Sequence, residues 1–240
     1  MNFSTETRVR EIALSDTKAR RVLEDAGIDY CCGGSKSLQD ACLHAGVPAG
    51  EILERLRRNR ELTGPADTHW TTAPLAELTQ HIREKHHQYV RDSIPRVRAL
   101  LARVREKHGA AHPEIEEIEK LFADVAREMT AHMQKEEQIL FPYIDSLERS
   151  TSEKRPVEPP FFQTVRNPIH TMMKEHDSAG ELVKRIRKAS SEYNLPTVAC
   201  TSYRAAYQEL REFEEDLHLH VHLENNILFP RAVELEEAAA

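Results

Sequence analysis

The sequence predicts an all-α protein: a small helical N-terminal module followed by a four-helix bundle. Three observations carry this. Only 8 Gly and 12 Pro interrupt 240 residues rich in Leu, Ala, Glu and Arg, which leaves long stretches free to be helix. Apolar residues recur at three- and four-residue spacing along four long segments, as amphipathic helices require. Those four segments also form two similar pairs, so one helical hairpin is used twice.

Residues 1–62 read as short helices broken by turns. Asp16 is placed to cap a helix carrying Ala19, Val22, Leu23 and Ala26, stopped by Gly27. IDYCCGGSKS is a turn, in which adjacent Cys31 and Cys32 precede Gly33 and Gly34. Ser37 can cap the next helix, which holds Leu38, Ala41 and Cys42 and ends at Gly46, and Pro48 suits the first turn of EILERLRRNRE. TGPADTHW is polar with a Gly-Pro step, so residues 63–73 are read as a linker and 74–236 as the bundle.

Helix one of the bundle runs from about Pro74 to Lys107, with Leu75, Leu78, Ile82, Val90, Ile94, Val97, Leu101 and Val104 on its stripe. Pro95 within it predicts a kink or break. Helix two opens at Pro113 and carries Ile115, Ile118, Phe122, Val125, Met129, Ile139 and Leu140. Ser146 to Pro160 is a polar, Pro-containing connection between the two pairs. Helix three takes Asn167 as cap and Pro168 as its first residue, then carries Ile169, Met172, Met173, Val183 and Ile186. Helix four opens near Pro196 and carries Tyr203, Leu210, Phe213, Leu217 and Leu228. A four-helix bundle is the simplest fold that buries four such stripes.

Lys+Arg 33 against Asp+Glu 40 gives a net charge of −7, which argues against nucleic acid or an acidic membrane surface as partner. No apolar run approaches the roughly 18 residues a membrane span needs. The N-terminus has no apolar signal core, and the four Cys read as thiols, ligands or redox groups, so the cytoplasm is the expected location. Histidine, at 13 residues, is the type to follow.

Helix two ends in HMQKEEQILFP and helix four in HVHLENNILFP. His132/His220, Glu136/Glu224, Ile139/Ile227, Leu140/Leu228, Phe141/Phe229 and Pro142/Pro230 match, every pair 88 residues apart. In the first helix of each hairpin, His87 and His176 stand 89 apart. Residues four apart share a helix face, so each His-x-x-x-Glu can converge on one ion. Both also lie on the apolar stripe, where a carboxylate is costly unless a cation offsets its desolvation. Four imidazoles and two carboxylates that can bridge suit two non-heme iron ions joined by an oxo or hydroxo group, with manganese or zinc as competitors. Ideal helical spacing puts His86 nearer the stripe than His87, and the periodicity leaves that choice open. A carboxylate-bridged oxidase or hydrolase is a third class, and so His-rich a set argues against the oxidases.

DYCCGG followed by a bundle with these two motifs resembles the RIC family, the di-iron iron–sulfur cluster repair proteins (the YtfE, ScdA and DnrN type). The resemblance covers nearly the whole chain. It implies a hemerythrin-like up-down four-helix bundle behind an N-terminal module of the ScdA type. It also implies a di-iron centre on His87, His132, His176 and His220, with Glu136 and Glu224 bridging. The choice of His87 rests on the family pattern, matched here by HQYVRDSIP. Glu128 and Glu175 match acidic positions near the family's site, and the family's adjacent cysteines fall on Cys31 and Cys32, read as redox, iron-handling or partner-contacting thiols.

The expected function is repair of iron–sulfur clusters after oxidative or nitrosative stress. Iron donation, nitric oxide removal by a reductase-like activity, or both would serve it. Expected partners are damaged iron–sulfur proteins or their assembly machinery, with nitric oxide or dioxygen as small ligands. The family also suggests a homodimer through the N-terminal module. The alternative is a hemerythrin-like carrier or sensor of dioxygen or nitric oxide without repair activity.

Overall fold

The computed structural model describes residues 3–15, 17–59, 68–197 and 199–239, and among these every regular element is a helix. Asp16 and residues 63–67 of the expected linker lie outside the described residues. Contacts group the chain into two compact units, Met1–Pro74 with Val221–Arg231, and Leu75–His220 with Ala232–Ala240. The first unit groups the segment up to Pro74 with a stretch of the last helix that sequence order could not assign to it.

The first unit contains α1 (Val9–Ser15), α2 (Thr17–Asp25), α3 (Leu38–Ala45), α4 (Ala49–Asn59) and the short α5 (Thr68–Thr72). α1 packs on α2, and α4 packs on both α2 and α3. Val9, Ile12, Val22, Leu23, Leu38 and Ile52 are buried between them. Ser37 accepts the Asp40 N–H at 3.1 Å, and Gly46 ends the same helix at φ 70°, a left-handed conformation that a side chain would strain.

In the second unit α6 (Leu75–His81), a π-turn over Ile82–His87 and α7 (Gln88–His108) follow without a gap. α8 (Glu114–Lys135), a π-turn over Glu136–Leu140 and α9 (Phe141–Ser152) form the next helix, and α10 (Arg166–Ala189) stands alone. α11 (Thr201–Leu223), a π-turn over Glu224–Leu228 and α12 (Phe229–Ala239) complete the chain as one unbroken helix. α8 packs against α7 and α10, and α6 against α9.

Four details depart from the expected pattern. The helix continues through Pro95, because the single backbone donor lost there is outweighed by buried Val97, Leu101 and Val104. Pro142 sits in the first turn of α9, where its missing N–H is needed least, so that helix runs to Ser152 and the connection begins later than Ser146. α10 starts at Arg166 and places Asn167 inside the helix, its side chain donating to the Phe162 carbonyl. The last helix opens at Thr201, five residues beyond Pro196.

Distant carboxylates cap the hairpins. Glu148 accepts the Leu75 and Ala76 N–H groups at 2.7 and 2.9 Å, and Glu236 accepts the Val165 N–H at 2.8 Å. Glu148 and Glu236 stand 88 residues apart, so the repeat includes the residue that closes each hairpin. Orphan N–H groups at a helix start make such a partner necessary.

Candidate metal centre

Three of the four bundle helices carry their π-turn where the candidate ligands sit. A π-turn adds one residue to the helical repeat and so rotates the stripe that faces inward. One such turn spans Ile82–His87, where adjacent His86 and His87 are both at most 1% exposed, so spacing alone could not choose between them.

The structure brings the six candidates together. His87 Nε2 and His132 Nε2 each lie 3.3 Å from Glu136 Oε2, and His132 Nε2 lies 3.0 Å from His176 Nε2. The His87 and His220 rings are 4.9 Å apart. Glu224 follows His220 by one turn of the same unbroken helix. Donor atoms of His87, Glu136, His220 and Glu224 lie within 4.8 Å of one another, as do those of His132, Glu136, His176 and Glu224. All six residues are at most 1% exposed. Each donor set draws one imidazole from each hairpin, and both sets share the two carboxylates, so neither hairpin makes a site alone.

The donors fit a pair of transition-metal ions. Two nitrogens about 2.1 Å from one ion and at right angles about it stand about 3.0 Å apart, the His132–His176 separation. Two carboxylates buried in one apolar core are costly unless cations offset their charge, and four imidazoles beside them favour iron, manganese or zinc over calcium or magnesium.

Outer carboxylates aim the imidazoles. His132 Nδ1–H donates to Glu175 at 3.0 Å, and His87 Nδ1–H donates to Glu137 at 2.7 Å. The tautomer follows from the acceptor: an ionised carboxylate can only accept, so Nδ1 carries the proton and the Nε2 lone pair faces inward. The His132 hydrogen bond, with help from Lys135, holds the Glu175 carboxyl down at about 2 against partial burial. Burial would raise Glu137, but hydrogen bonds from Arg91 and His87 outweigh it and leave the carboxyl below its ordinary range. His86 takes a related place. Its Nδ1 lies 2.9 Å from Asp216, and its ring stacks on His220 at 5.5 Å. His86 and Glu175 stand 89 residues apart, and each addresses the His of the opposite hairpin's second helix.

Glu175 therefore meets a candidate ligand, whereas Glu128 is engaged at the surface by the Ser178 hydroxyl at 2.9 Å. Glu137 and Asp216 escaped the sequence reading. Glu137 looks like the solvated neighbour of Glu136, and Asp216, one turn before His220, could have been found by its own four-residue spacing. Cys31 and Cys32 lie in the first unit and are not linked by a disulfide.

A helical bundle whose core holds four imidazoles and two carboxylates defines a hemerythrin-like cation-binding protein, and residues 78–232 match the hemerythrin HHE cation-binding domain. Residues 5–60 match the ScdA N-terminal domain, described as a domain of unknown function. The chain belongs to the RIC family of iron–sulfur cluster repair proteins. It is 34% identical over 223 residues to the iron–sulfur cluster repair protein YtfE of Citrobacter koseri, covering 93% of this chain and 94% of that one. It is 33% identical over 238 residues to a probable iron–sulfur cluster repair protein of Haemophilus influenzae, covering 97% and 99%. The YtfE protein of Escherichia coli O81 is 34% identical over 223 residues, covering 93% and 94%.

Proposed function

We propose that this chain restores iron–sulfur clusters damaged by oxidative or nitrosative stress, through a di-iron site on His87, His132, Glu136, His176, His220 and Glu224. The observation that carries the reading is the pair of buried donor sets sharing both carboxylates. The relatives named for cluster repair support the process. Two irons held there would supply exchangeable cargo and open positions for nitric oxide or dioxygen.

The chain's own residues set how tightly such cargo is kept. Glu137 and Glu175 hold two imidazoles in the tautomer that offers Nε2. Glu136 and Glu224 would each be shared by both ions, so that moving either carboxylate loosens both. Four protein donors per ion leave room for an outside ligand, which iron donation and nitric oxide removal both need. The cytoplasm, where iron–sulfur enzymes and their assembly machinery work, is the compartment this reading requires.

The test uses a hydro-lyase whose [4Fe–4S] cluster has been damaged by nitric oxide or peroxide. Iron-loaded chain should restore its activity, and Glu136→Ala should not. Nitrous oxide evolved during the same reaction separates nitric oxide removal from iron donation. Gas binding with no recovery of the enzyme would overturn repair in favour of a carrier or sensor, and equal recovery with Glu136→Ala would overturn the site.

A further inference from the structure

The first unit gathers a different set of donors at the IDYCCGG turn. The Cys31 and Cys32 sulfurs lie 4.0 Å apart, and Cys31 Sγ lies 3.2 Å from Asp29 Oδ1. Ligand atoms of Asp29, Cys31 and Cys32 all fall within 4.8 Å of one another. Asp29 Oδ1 also accepts the Cys32 and Gly33 N–H groups at 2.9 and 3.2 Å, which folds the turn around the carboxylate.

This turn has no room for side chains at its glycines. A Cβ on Gly33 would come within 2.5 Å of the Asp29 carbonyl oxygen, and one on Gly34 within 2.7 Å of both Asn226 Oδ1 and the Tyr30 carbonyl oxygen. Asn225 and Asn226 donate to the Cys31 and Tyr30 carbonyls at 3.2 and 3.0 Å. They stand where the first copy of the repeat has Glu137 and Gln138. In the first copy that position orients a candidate ligand, whereas here the same position grips the thiol turn. Both asparagines directly follow Glu224.

We propose that Asp29, Cys31 and Cys32 form a second cation site, a two-thiolate, one-carboxylate cup for a soft or borderline divalent ion. Two sulfurs about 2.3 Å from a tetrahedral ion stand about 3.8 Å apart, close to the 4.0 Å separation already present. Without a cation the Cys31 thiol donates its proton to Asp29 Oδ1, and a divalent ion would take the place of that proton. Binding releases the two thiol protons to water, forms two metal–sulfur bonds and moves no electron. Three protein donors leave a fourth position for water or for a thiolate of a receiving protein. That the physiological ion is ferrous iron, handed on from the bundle, rests on the proposed function; the site itself does not.

Cobalt(II) titrated into the full metal-free chain under a phosphine reductant tests the proposal. Thiolate ligation gives sulfur-to-cobalt charge-transfer absorption in the near ultraviolet, which imidazole and carboxylate ligands do not give. The wild-type chain should show this band, and Cys31→Ser and Cys32→Ser should each remove most of it. The band should persist in Glu136→Ala, so loss of the bundle site and loss of the thiol site are read separately. No charge-transfer band in the wild type, or a band unchanged in the double serine variant, overturns the proposal.

Discussion

Replacing Glu175 by Ala removes the acceptor of the His132 Nδ1–H, 3.0 Å away, and frees Lys135 of its partner, while all six candidate donor atoms stay in place. The ring can then turn, or move its proton to Nε2, where it blocks the metal. Losing such an outer partner typically weakens metal binding about 10–100-fold, or about 1.4–2.7 kcal/mol. Little of this is long-range charge, because the Glu175 side chain keeps 30% of its surface exposed and sits beside Lys135. A partly solvated pair contributes about 1 kcal/mol or less. Glu175→Gln keeps an acceptor for Nδ1–H and loses only the charge, so its affinity should stay within about 1 kcal/mol of wild type. Competition against a chelator of known affinity, with helix content checked by circular dichroism, measures both variants. Wild-type affinity in Glu175→Ala would refute the reasoning, and so would an equal loss in both variants, which would make charge rather than orientation the cause.

Arg187→Ala should cost about 1–3 kcal/mol, or roughly 2–12 °C in Tm, because it takes the cation held at 3.0 and 2.9 Å from the Glu214 carboxylate, only 2% exposed, and leaves it the Tyr193 O–H. A melting temperature indistinguishable from wild type would contradict this. Glu236 accepts from Thr164, Tyr143 and the Val165 N–H, and these bonds outweigh partial burial and lower its pKa. A lowered folded pKa means the stabilisation is full above the free carboxyl's value of about 4.3 and fades as the pH falls below it. The Tm gap between wild type and Glu236→Gln should therefore narrow in acid, and a gap that does not change with pH would count against the cap. Gly34→Ala should strain the turn by about 1–3 kcal/mol. Hydrogen exchange at residues 28–37 should quicken, and unchanged exchange would show that the turn gives way freely.

The repeated His-x-x-x-Glu motif is legible in the sequence because chance rarely produces two copies matched at a single offset, and the stripes around it place all four bundle helices. What spacing cannot reach is the π-turn: one extra residue shifts the inward register beside His86 and His87, and no periodic rule anticipates the insertion. Long-range carboxylates escape for a related reason. Glu148, Glu236, Glu137 and Asp216 look like surface charge along the chain, and only the fold shows that each meets an N–H group or an imidazole on another helix. Asn225 and Asn226 carry a usable signal, since the second copy departs from the first at the two positions the structure sets against the thiol turn.

Iron counted per chain after anaerobic reconstitution, with the Mössbauer spectrum of the same sample, tests the central claim most directly. Two irons in a single coupled pair are expected, as two donor sets sharing Glu136 and Glu224 require. No iron, one iron, or two irons retained when both glutamates are replaced by Ala would contradict it.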